Sequence, residues 1–310
     1  MKNILSVSDT YEGTHLDVKR SGATIKAYGM EPFIAVSEFI HRDGTSEPVD
    51  IEDTLEFCFG ECNPDAVFVG FIHGERTAAR VASILAKHNP SIVVSDPSII
   101  SDRGELWMTE KTYNVVSTAI FDLSTHIIIN HLEAELLAGF ECMSSYDFER
   151  AARKLSSCFN ASLYIKGCSR TGNHGLFCDS SGLTWVDDDR SRANPELSLG
   201  NALNCELALG VTGVKAITNA IFFTVNGRRV TESIPVPQVA PTLISPAKSL
   251  RDIARSIDPI TEGTKGTVSE IKAPSPAKAA SASSRNINDS LTALAGIRKR
   301  LEELKKSSGS

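Results

Sequence analysis

Several features that would place a chain in a special class are absent from this 310-residue sequence. Aromatic residues make up only 6%, and no apolar run approaches the roughly 18 residues of a membrane-spanning helix. The N-terminal residues, MKNILSVSDT, lack the long apolar core and the cleavage site of a signal peptide. We therefore expect a cytoplasmic protein without a membrane span.

The sequence also lacks the common metal and nucleotide signatures. Its seven cysteines form no CxxC pair and no Cys/His metal spacing, which is typical of reduced thiols in a reducing compartment. Glycine spacing gives neither a P-loop nor a GxGxxG fingerprint, and the seven histidines form no HExxH motif. The carboxylates of residues 187–189 favour a solvated acidic turn, with a metal site as the alternative.

The charge is unevenly distributed along the chain. The formal net charge is −6, with a pI near 5.7, which argues against a nucleic-acid-binding protein. From Lys272 to the end there are eight basic and three acidic residues, or +5, so residues 1–271 carry 24 − 35 = −11. An acidic body is thus joined to a basic tail.

Strand-like and helix-like patterns alternate through residues 1–230. Continuous apolar runs such as AVFVG at 66–70 are typical of buried parallel strands, and residues 75–88 have helical spacing of apolar side chains. We predict strands at 4–7, 32–36, 66–70, 91–95, 127–129 and 162–166, a hairpin of 175–179 and 182–186, and helices at 17–28, 51–59, 75–88, 109–121, 132–139, 145–159, 197–209 and 214–226. This order predicts an α/β domain with a mainly parallel sheet covered on both faces.

Polar residues follow three of the predicted strands directly. They are Asp96, Asn130 and Lys166. In open parallel sheets, ligands bind beyond the carboxyl ends of the strands. The sequence therefore predicts a ligand site at this edge.

The character of the chain changes after about residue 230. Prolines at 235, 237, 241 and 246 predict a Pro-rich strap over 231–272, and APSPAKAASASS falls in a low-complexity linker over 273–285. Residues 286–306 then have an amphipathic helical pattern. A docked or solvated tail helix is favoured for them; a coiled coil that joins copies of the chain, or a basic helix that binds an anionic partner, are the alternatives.

Eight segments of the body match one known family in order. They are ILSVSD at 4–9, LDVK at 16–19, AYGM at 27–30, PDAVFVGFIHG at 64–74, VVSDPSIISDRGELW at 93–107, IINHLEAELLAG at 128–139, LYIKG at 163–167 and LALG at 207–210. On these segments, the body resembles the hydroxymethylpyrimidine/phosphomethylpyrimidine kinases of thiamine biosynthesis and pyridoxal kinase, in the ribokinase-like superfamily. The resemblance implies a three-layer α/β/α domain over 1–230.

The resemblance also implies a chemistry. The family transfers the γ-phosphoryl group of Mg-ATP to a hydroxymethyl group on a small heteroaromatic ring, and needs a phosphate site, a ring pocket and an anion hole at a helix N-terminus. By resemblance, Asp96 and Glu133 would hold Mg²⁺ through water, and Asn130, Lys166 and Gly167 would approach the nucleotide phosphates. The substrate-side positions would be Asp9, Asp17, Phe39 and Gly70. Asn130 and Glu133 also fit a helix capping box, and Asp17 a solvated helix charge.

The anion-hole motif departs from the family pattern. The family has G-T-G-C or G-x-G-D, whereas an ungapped alignment from LALG places Asn194, Pro195, Glu196 and Leu197 there. Proline has no N–H to donate, glutamate repels a phosphate, and leucine cannot accept a proton. The same residues suit a helix start, with Asn194 as cap and Pro195 in the first turn. The alternative is a gapped alignment that puts Gly200 or Cys205 in the role, against which GNALNC leaves too few residues for the following helix.

Two further departures concern the ring pocket. The family's Gly-Gly loop after the first strand is replaced by the shorter TYEGTHL at 10–16, and the ring-reading glutamine falls near Phe39. Three hypotheses follow: a hydroxymethylpyrimidine-type kinase with impaired activity, a pyridoxal-kinase-type enzyme, or a non-catalytic relative that binds a nucleotide or small ligand as a scaffold or regulator. We predict very slow or absent phosphorylation of hydroxymethylpyrimidine.

Overall fold

The structure, a computed structural model, describes residues 1–12, 16–41, 45–100, 106–168 and 173–230. The predicted strap (231–272), linker (273–285) and tail helix (286–306) lie outside the described residues. So do parts of the loops that follow the first, second, fifth and seventh strands.

A single mixed sheet of nine strands organises the described part of the chain. The strands are β1 (Asn3–Tyr11), β2 (Glu31–Ile40), β3 (Ser46–Pro48), β4 (Ala66–Val69), β5 (Val93–Ser95), β6 (His126–Asn130), β7 (Ser162–Lys166), β8 (His174–Asp179) and β9 (Gly182–Asp187). Their order is β3-β2-β1-β4-β5-β6-β7-β8-β9. The strands from β2 to β7 in this order pair in parallel, and β3, β8 and β9 pair antiparallel at the two margins.

Two helical layers cover the sheet. The helices are α1 (Leu16–Ala27), α2 (Ile51–Phe57), α3 (Glu75–His88), α4 (Glu110–Val115), α5 (His131–Ala138), α6 (Ser145–Phe159), α7 (Leu199–Ala208) and α8 (Gly213–Asn226). Side chains alternate across β1, so that Leu5 packs in the core beneath α2 to α6 and Ile4 in the core beneath α1, α7 and α8. Both cores are closed to solvent, which explains the continuous apolar runs of the inner strands.

These elements confirm the predicted fold class, and they match many predicted boundaries. Helices α3 and α6 and strand β7 have the predicted ends, and the β8–β9 hairpin turns at residues 180–181. Two predicted helices change geometry along their length. Residues Cys58–Cys62 and Val116–Ile120 are π-helical, and Phe121–Leu123 form a 3-10 turn.

Some predicted bounds were wrong, among them those of β1, predicted at 4–7 and observed as Asn3–Tyr11. Strand β2 continues to Ile40 rather than ending at residue 36, and β3 was not predicted at all. Helix α7 begins at Leu199 with Ser198 as its N-cap, not at Leu197 with Asn194 as cap. Ser198 Oγ accepts the Asn201 backbone N–H at 3.2 Å, which satisfies one of the free donors of the first turn.

A search of the described residues finds no helix that is both long and apolar enough to cross a bilayer.

Candidate functional site

The carboxyl ends of β5, β6 and β7 bring the three predicted strand-end residues together. Asn130 and Lys166 are register partners on β6 and β7, and Asp96 follows β5. Lys166 Nζ donates to both Asp96 carboxylate oxygens, at 2.9 and 3.1 Å. These side chains keep 23% and 15% of their surface exposed, so the pair borders solvent.

Asn130 and Glu133 form a complete capping box at the start of α5. Asn130 Oδ1 accepts the Glu133 backbone N–H at 2.9 Å, and Glu133 Oε2 accepts the Asn130 backbone N–H at 2.7 Å. Glu133 Oε1 accepts the Ile100 backbone N–H at 3.0 Å, and Asn130 Nδ2 donates to the Ile100 carbonyl. The two side chains therefore also tie the loop after β5 to the start of α5.

Glu133 is completely buried, and its burial raises its pKa to about 7. The Lys166 ammonium and the backbone N–H groups of Asn130 and Ile100 lower the pKa, whereas the Asp96 carboxylate raises it. Both Glu133 oxygens already accept backbone N–H groups, so a water-mediated magnesium contact would have to use their remaining lone pairs. Asp96 is the carboxylate of this group whose exposure better fits an outer ligand of Mg²⁺.

A second group of carboxylates lies at the ends of β1 and β2. Asp9 is fully buried; its oxygens accept the Ser37 hydroxyl and the His73 backbone N–H. Burial raises the pKa of Asp9 well above its usual range, and the neighbouring Glu38 and Asp17 carboxylates raise it further. Burial likewise raises the pKa of Asp17, where Arg20 lowers it and Asp96 raises it. Asp17 is therefore an electrostatic neighbour of both Asp9 and Asp96.

Glu38 is the residue of this edge that the sequence did not single out. Phe39, the position predicted to replace the ring-reading glutamine, is only partly buried and packs edge-on against His41, with ring centres 5.4 Å apart. Its neighbour Glu38 is 6% exposed, and its Oε1 accepts the Thr77 hydroxyl at 2.7 Å. The signal in the sequence was an acidic residue between two apolar stretches, FIAV and FI.

Aromatic side chains cluster where β1 and β4 end, and the Phe71 carbonyl accepts the Asp9 backbone N–H. Phe71 lies 6.2 Å from Trp107 in an edge contact and 6.4 Å from both the Tyr11 and His73 rings. Three polar atoms here are buried without a hydrogen-bond partner among the described residues: Glu38 Oε2, His73 Nδ1 and Trp107 Nε1. Buried polar atoms without a hydrogen-bond partner are rare in protein interiors, and they indicate a place for water or a ligand.

The segment aligned with the anion hole directs its amides inward. Asn194 Oδ1 accepts the Glu196 backbone N–H at 2.9 Å, and the Asn194 carbonyl accepts that of Leu197 at 3.1 Å. The Ser198 backbone N–H donates to Thr24 Oγ1 at 2.9 Å, and Pro195 has none. These amides are therefore engaged within the protein.

The two predicted glycines occupy tight positions. A Cβ on Gly70 would lie 3.1 Å from both the Phe68 ring and Ser8 Cβ, and Gly70 is followed by Phe71. Gly167 has φ = 73°, a left-handed conformation that favours glycine, and a Cβ there would lie 3.3 Å from His131 Nδ1. Gly167 therefore lets the chain turn directly after β7.

The three consecutive aspartates have separate structural roles, and they do not all lie in a solvated turn. Asp188 is buried and accepts the Tyr164 hydroxyl at 2.6 Å; Asp187 lies 3.6 Å from His174. Asp189 accepts the Ser191 hydroxyl and backbone N–H. Within the described ranges, no group of three or more His, Cys, Asp or Glu side chains is arranged to hold a metal ion.

Comparisons with curated proteins find two kinases with similar sequences. The chain is 28% identical over 131 residues to a hydroxymethylpyrimidine/phosphomethylpyrimidine kinase of Synechococcus elongatus, over 42% of this chain and 49% of that protein. It is 26% identical over 129 residues to the enzyme of the same description from Aquifex aeolicus, over 42% and 51%. The chain thus spans about half the length of the curated relatives it matches.

Matches to solved structures cover more of this chain than the sequence matches do. The phosphomethylpyrimidine kinase of Clostridium difficile 630 aligns with a TM-score of 0.65 at 18% identity, over 73% of this chain and 99% of that one. The pyridoxal kinase of Staphylococcus aureus in complex with pyridoxal aligns with a TM-score of 0.60 at 18% identity, over 80% and 97%. The family model described as phosphomethylpyrimidine kinase matches residues 37–237, more than half of the chain. The chain therefore belongs to the phosphomethylpyrimidine kinase family.

Proposed function

We propose that this chain is a ligand-binding member of the family with very slow or absent phosphotransfer, and that it binds a small heteroaromatic compound at the carboxyl edge of the sheet. The observation that carries the proposal is the internal use of the amides at residues 194–198. Glu196, Leu197 and Ser198 donate to oxygens of the protein itself, and Pro195 has no N–H.

The energetic consequence for phosphotransfer is large. Each preorganised donor aimed at developing negative charge is worth about 3 kcal/mol of transition-state stabilisation. Leu197, at the aligned catalytic position, carries no group that could remove a proton from a substrate hydroxyl. A chain without these donors and without that base should bind ligands far better than it phosphorylates them.

A working kinase of the hydroxymethylpyrimidine or pyridoxal type is the second candidate. The pairing of Lys166 with Asp96 at the solvent border favours it, since these residue types suit a phosphate and a hydrated Mg²⁺. A homologous pyridoxal kinase from Staphylococcus aureus has been solved with AMP-PCP and pyridoxal. In this reading Lys166 and Gly167 would approach the phosphates of Mg-ATP, and Asp96 would hold the metal through water.

One experiment separates the two candidates. The full chain is assayed for ADP formation with Mg-ATP and either hydroxymethylpyrimidine or pyridoxal, and thermal shift is measured with the same compounds. We expect a rise in Tm with ring compounds or nucleotide, because binding to the folded state alone stabilises it, and no ADP above background. Turnover of about 1–100 s⁻¹, the ordinary kinase range, that is lost in Asp96→Ala but kept in Asp122→Ala would overturn the proposal. Asp122 is an exposed aspartate outside the site.

A further inference from the structure

We propose that residues 286–306 dock on the outer face of α2 in the same chain, with their apolar side chains on Phe57 and their cations beside the carboxylates around it. The name α2 face is used here for Asp53, Phe57, Gly60 and Glu61. None of these residues belongs to the site at the carboxyl edge of the sheet, so the inference goes beyond the proposed ligand binding and does not depend on it.

The α2 face presents an aromatic ring to solvent. Phe57 keeps 64% of its surface exposed, whereas Leu55 and Cys58 of the same segment are buried in the core. A Cβ built on Gly60, three residues further along, would meet nothing within 4 Å. The described residues therefore leave most of the Phe57 ring and the space above Gly60 uncovered.

Carboxylates border Phe57 on both sides along the helix axis. Asp53 precedes it by four residues, and Glu61 follows it by four in the π-helical turn Cys58–Cys62, so each lies about one turn away. Both side chains are exposed, and neither forms an ion pair with another described residue. The ring thus lies between two carboxylates that remain available to a partner.

The wider region also carries an excess of negative charge. Residues 50–61 include five acidic residues and no lysine or arginine. Only two of the five have a cation from α3 within the described ranges: Glu52 lies 3.9 Å from Arg80, and Glu56 lies 2.7 Å from Lys87. An apolar ring in such surroundings complements a helix whose apolar stripe is bordered by cations.

The sequence pattern of residues 286–306 has this complementary character. Their apolar residues recur at three- and four-residue spacing, which places them on one side of a helix. They are Leu294, Ile297, Leu301 and Leu304. At 100° per residue, Arg298 and Lys305 border this stripe on one side and Arg300 borders it on the other. A helix laid on Phe57 by its leucines would therefore bring cations to Asp53 and Glu61.

The other largely exposed aromatic side chain of the described residues suits a basic segment less. Tyr146, on α6, is 70% exposed. The same helix carries Arg150, Arg153 and Lys154 against two carboxylates, and the Arg150 guanidinium lies 3.9 Å from the centre of the Phe140 ring. Like charges would oppose docking of a basic helix there. Tyr146 is therefore a matched control position for Phe57.

The intervening chain is long enough for the tail to reach the α2 face. Residues 231–285 number 55, and a flexible segment of that length spans about 40 Å on average. Twice the radius of gyration of a 230-residue domain is about 35 Å. Because the tail is tethered to the body, its local concentration at the α2 face is high, and a weak contact is enough to hold it.

The test places a photoreactive side chain on the α2 face of the full chain. Phe57 is replaced by p-benzoyl-phenylalanine in one variant, and Tyr146 in the control. Dilute protein is irradiated, and the cross-linked peptides are identified by mass spectrometry. A mixture of isotope-labelled and unlabelled chains separates cross-links within a chain from those between chains. We expect the Phe57 variant to cross-link to residues 286–306 of the same chain, and the Tyr146 variant not to.

A charge exchange tests the electrostatic part. In the Phe57 variant, Asp53→Lys together with Glu61→Lys should lower the cross-linking yield about tenfold, which corresponds to about 1.4 kcal/mol, because two attractions become repulsions. Arg298→Glu together with Arg300→Glu should restore the yield in that background. As a control, Glu31→Lys together with Asp122→Lys changes the net charge equally at exposed positions outside the α2 face and should leave the yield unchanged.

Several results would overturn the inference. They are equal cross-linking of the tail from both photoreactive positions, cross-links to the tail only between chains, and a yield that does not respond to the charge exchange. Where a charge-reversed variant does not fold, the wild-type chain decides. A carbodiimide, which joins a lysine to a carboxylate in contact with it, should link Lys305 to Asp53 or Glu61, and absence of that link would equally overturn the inference.

Discussion

At the scale of single residues, Gly74 sets the position of the Glu38 carboxylate. Its backbone is extended, with φ = −86° and ψ = 132°, so a side chain is excluded by the carboxylate and not by conformation. We predict that Gly74→Ala lowers the free energy of unfolding by about 1 kcal/mol, because the added Cβ would displace the Glu38 carboxylate from the Thr77 hydroxyl. Urea unfolding measures this change.

The origin of that cost can be isolated with a second substitution. In Glu38→Ala, the carboxylate that faces Gly74 is gone. Gly74→Ala should therefore lower the free energy of unfolding much less in the Glu38→Ala background than in the wild type, so the two substitutions should be non-additive. Gly22→Ala is the matched control, because a Cβ at Gly22 meets nothing within 4 Å and the residue lies within α1. It should stabilise the protein by about 0.5–1 kcal/mol. Additive losses in the cycle would show that Glu38 is not the obstacle.

Glu133 predicts a pH dependence of stability. Its pKa rises from 4.5 to about 7 through burial. Because the folded state binds this proton more tightly than the unfolded state, its stabilising contribution is complete below about pH 4.5 and is lost as the pH rises through about 7. The free energy of unfolding of wild type minus that of Glu133→Gln should therefore fall across this window, by about 1.4 kcal/mol for each unit of pKa shift.

A constant difference between wild type and Glu133→Gln from pH 4.5 to 7.5 would contradict this reading. The capping box of α6 provides a comparison, because Asp147 occupies the same N3 position near solvent and accepts the Ser144 hydroxyl at 2.7 Å. Asp147→Asn removes an N3 carboxylate at a solvent-accessible cap, and we expect it to lower the free energy of unfolding by about 1 kcal/mol.

At the scale of elements, the start of α7 is defined by Ser198. Its Oγ accepts both the backbone N–H and the side-chain Nδ2 of Asn201, each at 3.2 Å. We predict that Ser198→Ala destabilises the protein by about 1 kcal/mol or more through loss of the cap, measured by urea unfolding. Asn194→Ala, outside the helix, should cost less, and the opposite order would restore Asn194 as the functional cap.

The elements also show which parts of the fold the sequence predicts. Apolar runs and helical spacing predicted β7, α3 and α6 to the residue, because both faces of the sheet are buried and the pattern is strong. β2 was predicted too short since Ser37 and Glu38, both buried, have the polarity of a loop. β3, with only three residues, has no alternation to detect.

The candidate site was predictable in part. Strand ends predicted the positions of Asp96, Asn130 and Lys166, which the fold brings to one edge. Glu38 was missed, because a single sequence does not show that this acidic residue is buried. The start of α7 was predicted too early, since Asn194 and Pro195 imitate a cap and a first turn.

At the scale of the whole molecule, one continuous sheet predicts a single unfolding transition. The two tryptophans are far apart in it: Trp107 lies beside Phe71 near β4, and Trp185 lies on the marginal strand β9. Fluorescence of Trp107→Phe and Trp185→Phe variants in urea, each corrected for its own stability by circular dichroism, should follow the same curve as the helical signal. A fluorescence midpoint displaced from the helical one would show that the sheet unfolds in parts.

The internal hydrogen bonds of residues 194–198 also have a consequence for the evolution of the chain. The Asn194 side chain accepts the Glu196 backbone N–H, so replacing Asn194 by the glycine of the family motif removes this acceptor without yet supplying a proton acceptor or a phosphate cradle. Several coordinated replacements, of Pro195, Glu196 and Leu197 at least, would be needed before any gain in rate. Loss of phosphotransfer at this segment is therefore easier than its recovery, because recovery needs several replacements that act only together.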